Sequence, residues 1–130
     1  MTAPLFHMIS QAPTSVGPFC HATEIDGWVF LTGQMPTDPN DPDASLPEGI
    51  EAQTRRVMDN LILVLEGLNL SLADVANVRI FLTEFERDFE SMNKVYSAYF
   101  PTASLPSRTC IGVTALAVGA LVEIDFVVRR

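Results

Sequence analysis

Apolar residues recur along this chain with two different periods, and the places where the period changes divide it into elements. From about Ile50 to Leu68 the residues Ile50, Val57, Met58, Leu61, Val64, Leu65 and Leu68 return every three or four positions, which predicts an amphipathic helix ending at Gly67 and Asn69. From Val75 to Thr83 the period shortens to two. Ala76, Val78, Ile80 and Leu82 share one face and Asn77, Arg79 and Phe81 the other, as in a strand with one buried side. The helical period resumes from about Asp88 through Met92, Val95, Tyr96 and Tyr99, and Pro101 closes it. Extended pieces at about Ser107 to Ala115 and Leu121 to Arg129, joined across Ala117-Val118-Gly119-Ala120, predict a closing hairpin. Nearer the start, Asp26-Gly27 between Glu24-Ile25 and Trp28-Val29-Phe30-Leu31-Thr32 is a hairpin signal. Between Met35 and Gly49 the prolines Pro36, Pro39, Pro42 and Pro47 deny the backbone donors that a helix or sheet would use, so this segment reads as a loop. It is no calcium loop, because Asp43 stands where the sixth-position glycine would be needed.

The predicted order is therefore strand, hairpin, helix, strand, helix, hairpin. Such a chain buries both helical stripes together on one face of a single mixed, mostly antiparallel sheet, giving a two-layer α+β domain. A length of 130 residues suits one domain and buries a core without disulfide or metal staples. Phe81, Leu121 and Val127 are expected to point away from the helices. With 48% hydrophobic and only 18% charged residues, covering that outer face gives the chain a reason to associate.

Charge narrows the partners. The net charge of −8 repels a phosphate backbone, so nucleic acid is not an expected partner. No apolar stretch approaches the ~20 residues of a spanning helix and no signal-like segment follows Met1, so the reading is cytoplasmic with no membrane partner. Cys20 and Cys110 are expected to be reduced thiols in that compartment. His7, Cys20, His21 and Cys110 show no metal-ligand spacing, and no glycine-rich phosphate loop is present. Arg55-Arg56 and Arg129-Arg130 read as a solvated helix face and a chain end.

Two charges stand in apolar, strand-like sequence: Arg108 in Leu105-Pro106-Ser107-Arg108-Thr109-Cys110 and Glu123 in Val122-Glu123-Ile124. A lone ion there costs several kcal/mol unless it is paired, hydrated or facing a cleft. By residue type alone, a structural salt bridge explains the two as well as ligand chemistry does. In a plain terminal hairpin turning at Val118, Arg108 would pair near Val128 and Glu123 near Val113, leaving them ~16 Å apart along the sheet. One small substrate could not touch both. Either a bulge near Pro106 changes the register or a neighbouring subunit completes the site.

Gly17-Pro18-Phe19, Thr32-Gly33-Gln34, Asn93 with Tyr96, Pro106-Ser107-Arg108-Thr109-Cys110 and Val122-Glu123-Ile124 occur in this order over nearly the whole chain. In this the sequence resembles the RidA (YjgF) family of reactive-intermediate deaminases, also labelled endoribonuclease L-PSP. The resemblance implies a chorismate-mutase-like fold, a homotrimer with ligand clefts between subunits, and hydrolysis of 2-imino or enamine acids to 2-keto acids and ammonia without metal or organic cofactor. It puts Arg108, Glu123 and Cys110 in the catalytic set, and Arg108, Phe19, Gly33 and Asn93 against a small carboxylate metabolite. The residues suit these roles. An arginine fork can hold a carboxylate through two parallel charge-assisted bonds, and a glutamate within reach can orient a water and take its proton. Cys110 would act through its backbone, without a covalent intermediate. Asn93 alone reads equally well as a surface residue.

The sequence departs from the family pattern at Phe19, where a tyrosine hydroxyl is usual, and at Cys20-His21. His21 is expected to be packed or solvated, with a replacement polar role as the alternative. A non-catalytic carboxylate-binding module and a 2-aminomuconate-type deaminase remain competing functions. Ribonuclease activity would need phosphate-stabilising cations near an acid and a base, and no such cluster is present.

Overall fold

A computed structural model of the chain describes residues 3–130. Strands β1 (Leu5–His7), β2 (Ala22–Ile25) and β3 (Trp28–Gln34) come first, followed by helix α1 (Ile50–Gly67) and strand β4 (Val75–Leu82). Helix α2 (Phe85–Ser97), strand β5 (Ser107–Gly112) and strand β6 (Val122–Arg129) complete the order. The six strands form one mixed sheet in the order β1-β2-β3-β6-β4-β5, with both helices on one face. This is the two-layer α+β arrangement that the periodicity predicts.

Packing holds the layers together. Val57, Met58, Leu61 and Val64 of α1 and Met92 of α2 meet Val29 of β3, Ile80 and Leu82 of β4 and Ile124 of β6, every one at 0% exposure. Each such side chain contributes about 1.5–3 kcal/mol of transfer free energy. That matters for α1, whose N-cap Gly49 makes no side-chain cap bond. The β2–β3 turn is where the sequence places it, with Asp26 and Gly27 both at positive φ (52° and 81°), the pairing that a tight hairpin turn demands.

Two expectations change. Helix α2 begins at Phe85 rather than Asp88, because the Asp88 N–H already bonds the Glu84 carbonyl at 2.9 Å and Phe85 stacks on Phe89 at 4.8 Å. The closing hairpin does not form. Strand β5 returns from α2 parallel to β4 and becomes an edge, while β6 inserts antiparallel between β3 and β4. The pattern of β6 gives the reason: Val122, Ile124, Phe126 and Val128 are at most 1% exposed, so this strand buries more at the sheet's centre than at an edge. On the face opposite the helices, Trp28 and Phe30 stand 43% and 47% exposed. Phe6 of β1 and Ile111 of β5 are exposed large apolar residues as well, and Phe81 and Val127 lie half-buried on strands whose alternate residues face the helices. An apolar outer face is thus open in the isolated chain. Among the described residues no helix is long and apolar enough to cross a membrane.

Candidate functional site

Arg108 owes its position to the parallel pairing of β5 with β4. It lies opposite Val78, whose side chain is fully buried toward the helices, so the Arg108 side chain rises on the helix side of the sheet edge. There α2 offers Phe89, Asn93 and Tyr96, spaced i, i+4, i+7 and therefore on one stripe. The guanidinium carbon sits 5.0 Å from the Tyr96 ring centroid and 5.9 Å from that of Phe89. An aromatic face attracts a cation without using its N–H donors. No salt bridge among the described residues involves Arg108. The charge is therefore held in place yet left without an anion. In front of it opens a hollow of about 310 Å³ lined by Asn93, Tyr96, Ser97, Leu105, Pro106 and Arg108. The Asn93 Oδ1 and the Tyr96 hydroxyl are buried without hydrogen-bond partners. Burial pushes the Tyr96 phenol up to about 12 against the pull of Arg108, so it stays a neutral hydroxyl.

Cys110 follows two residues later, opposite Ile80 and packed against the core. Burial raises its thiol pKa, with Arg108 opposing, so the sulfur is held as a thiol rather than a thiolate.

Glu123 occupies the other face. It pairs with Phe81 on β4, out of phase with the buried Val122 and Ile124. The β3–β6 ladder shifts register between Leu31 and Gln34, and within that irregularity Gly33 lies so close that a Cβ there would collide with the Glu123 carboxylate. Bulges of this kind commonly re-aim a side chain beside a functional site. The Glu123 carboxyl is raised above its ordinary value, first by burial and then by repulsion from Asp125, while Arg79 opposes. Arg79 is itself engaged, bidentate, by Asp125 at 2.7 and 3.0 Å. Gly33→Ala is expected to displace the Glu123 carboxylate, which the variant's crystal structure checks.

Within one chain the two charges do not meet. Arg108 stands level with Val78 and Glu123 level with Phe81, three residues along β4 on its opposite sides. Their Cα atoms are ~14 Å apart from strand rise and spacing, and the side chains leave from opposite faces. This replaces the hairpin geometry, in which both charges lay along one ribbon. Asn93 shares the Arg108 hollow, whereas Phe19 and Gly33 line a second, narrow one near the Glu123 side.

His21 is packed. At 4% exposure its Nδ1 accepts from the Ile9 N–H at 2.8 Å and its Nε2 donates to the Pro13 carbonyl at 2.7 Å. His21→Ala orphans both backbone groups and is expected to cost about 2–4 kcal/mol in urea unfolding with an unchanged m-value. Among the described residues no group of three or more His, Cys, Asp or Glu is placed to hold a metal ion.

Of the residues around Arg108, the sequence marks Asn93 and, as its helical neighbour, Tyr96, but gives no sign of Phe89 or Leu105. The meeting of Phe89, Asn93 and Tyr96 with Arg108 depends on the parallel β5, which a closing hairpin would exclude.

A family model described as Endoribonuclease L-PSP matches residues 9–130. A RutC family protein of Pyrococcus abyssi is 35% identical over 120 residues, 92% of each chain. A 2-iminobutanoate/2-iminopropanoate deaminase of Salmonella typhimurium is 28% identical over 122 residues, covering 92% of this chain and 93% of that one. Among solved structures, E. coli TdcF with bound serine superposes with a TM-score of 0.86 at 27% identity, covering 95% of this chain and 98% of that one.

Proposed function

This chain belongs to the endoribonuclease L-PSP family, which includes proteins of the RutC and Rid groups, and on that premise we propose that it hydrolyses small 2-imino or enamine carboxylic acids to 2-keto acids and ammonia. One observation carries the reading: the Arg108 guanidinium, seated on Tyr96 and Phe89, faces an open hollow with no protein anion against it. A planar fork with free donors suits a carboxylate held through two parallel bonds. The deaminase name of the Salmonella relative and the serine bound in TdcF, itself a small carboxylate, agree with it.

In this reading Arg108 grips the substrate carboxylate and Asn93 borders the adjacent carbon–nitrogen bond. Glu123 takes a proton from water as the water oxygen bonds to the imine carbon, and the nitrogen gains a proton. The adduct then expels ammonia as the carbonyl forms; imine plus water equals keto acid plus ammonia, with no change of oxidation state and no cofactor. A raised carboxyl pKa brings Glu123 closer to the working pH, which favours proton transfer. Cys110 contributes through its backbone beside Arg108, and Phe19 and Gly33 shape the Glu123 side.

Because Arg108 and Glu123 leave opposite faces of one sheet, a complete site requires two copies. We place the edge strand β5 of one copy against the apolar outer face of the next, in a homotrimer whose clefts lie between subunits. The open Trp28, Phe30 and Ile111 support that association, since covering them removes apolar surface from water.

The test is keto-acid formation from 2-iminopropanoate or 2-iminobutanoate generated in situ by an amino-acid oxidase, with a 2-aminomuconate-type enamine run beside them. No acceleration over buffer rejects the reading. Phe19, which has no hydroxyl, favours a second reading as a non-catalytic carboxylate-binding module. Calorimetric binding of 2-keto acids by an inactive protein, abolished in Arg108→Ala, would establish it.

A further inference from the structure

Glu123 is a half-buried carboxylate with an arginine close by, yet among the described residues no salt bridge involves it. The register of β4 and β6 sets two cross-strand pairs in succession on the outer face, Arg79 opposite Asp125 and Phe81 opposite Glu123. Arg79 is thus the diagonal neighbour of Glu123, about 7–8 Å away between backbones, a gap that a long side chain spans. Its guanidinium carbon stands 5.7 Å from the Phe81 ring centroid, over the residue that pairs with Glu123. Few other groups compete there. The β3 strand presents Gly33, which has no side chain, and the charged groups that act on the Glu123 carboxyl are Asp125 of its own strand and Arg79 of β4.

Asp125 decides which acid Arg79 takes. Its two oxygens accept from the Arg79 Nε and Nη2 at 3.0 and 2.7 Å, the paired bonds that fix a guanidinium plane. The Asp125 side chain is 13% exposed and that of Arg79 61%, so the carboxylate is the anchor and the arginine the part with room to turn. An ion pair with one partner so open to water adds little to stability. Its consequence for Glu123 is larger. An arginine bonded to a carboxylate favours the charged form and occupies the lone pairs that a water would use, so a general base held that way is both weaker and covered.

We infer that Asp125 is a positioning residue for the proposed hydrolysis: by occupying the donors of Arg79 it keeps the guanidinium off Glu123 and leaves the Glu123 oxygens open to water. The part played in catalysis rests on the deaminase reading; the contest of two carboxylates for one arginine does not. Burial and, after it, repulsion by Asp125 raise the Glu123 carboxyl. Removing Asp125 therefore acts in two ways, by releasing Arg79 and by ending that repulsion, and the variants are chosen to separate them.

The test compares wild type with Asp125→Asn, Arg79→Met and the double variant. In a crystal structure of Asp125→Asn, the Arg79 guanidinium is expected within hydrogen-bond distance of the Glu123 carboxylate. Carbon-13 NMR of the carboxyl groups is expected to show Glu123 titrating at lower pH than in the wild type. With a 2-imino acid, kcat of Asp125→Asn at neutral pH is expected to fall about three- to thirtyfold at nearly constant KM, with the acid limb of its pH profile displaced downward. Adding Arg79→Met is expected to return kcat to within about twofold of Arg79→Met alone, because the captured arginine is then gone. Lost repulsion alone, or a purely structural role for Asp125, would leave the double variant as slow as Asp125→Asn, and that result overturns the inference. So does an Arg79 that stays away from Glu123 in the Asp125→Asn structure. Should the wild type release no ammonia, the deaminase reading falls, while the crystal structure and the NMR titration still uphold or overturn the contest for Arg79.

Discussion

Arg108→Ala is expected to lower kcat/KM for a 2-imino acid by about 10²–10⁴, because two charge-assisted hydrogen bonds at about 1.5–3 kcal/mol each disappear. Most of the loss should fall in KM, since the carboxylate is held alike in ground and transition states; the part that reflects lost orientation should fall in kcat. Arg108→Lys separates the two. Lysine restores a charge but not a fixed plane, and it cannot lie over Tyr96 and Phe89 as the guanidinium does, so KM recovers in part while kcat stays low. Stability is the control. Arg108 makes no salt bridge among the described residues, so alanine forfeits only the aromatic contact, about 0.5–1 kcal/mol. Steady-state kinetics with urea unfolding of the same preparations checks both halves. An unchanged kcat/KM in the alanine variant removes Arg108 from the site.

Glu123→Gln is expected to cut kcat by about 10²–10⁴ at nearly constant KM, the range of a lost general base. The same change should raise Tm at neutral pH. The carboxyl's folded pKa lies above its ordinary value because burial and Asp125 disfavour the charge. The protonated form is therefore the one the fold tolerates. Its advantage is complete below the ordinary carboxylate pKa and is lost as pH rises through the raised value, so the ionised glutamate is a net cost at pH 7 that a neutral amide escapes. Activity runs the other way. Wild-type kcat should fall as pH drops through the raised pKa, and the glutamine variant should lose that limb. Opposite signs for kcat and Tm mark a residue kept for chemistry; a drop in both would make Glu123 structural.

How far the sequence reaches depends on the range of the interaction that decides each feature. Helix α1, strand β4 and the β2–β3 hairpin were legible because their signals are local: a three-to-four spacing over Ile50–Gly67, an alternation over Val75–Leu82, and the positive φ that Asp26 and Gly27 accept. The ends of α2 were less so, since the stacking of Phe85 on Phe89 extends it past the purely periodic residues. Arg108 and Glu123 could be picked out as misplaced charges without coordinates, because desolvation makes an ion in apolar sequence conspicuous wherever the chain goes.

The amino-acid order thus determined, by itself, the two layers, the apolar outer face and the identity of the two candidate charges. It did not determine which strand lies beside which. The closing segments have the pattern of a hairpin, and only the tertiary competition for the centre of the sheet sends β6 between β3 and β4 and leaves β5 at the edge. That competition turns on non-local burial, summed over the whole core, which no window of sequence contains. From it follow the aromatic seat under Arg108, the tight approach of Gly33 to Glu123, and the placing of the two charges on opposite faces.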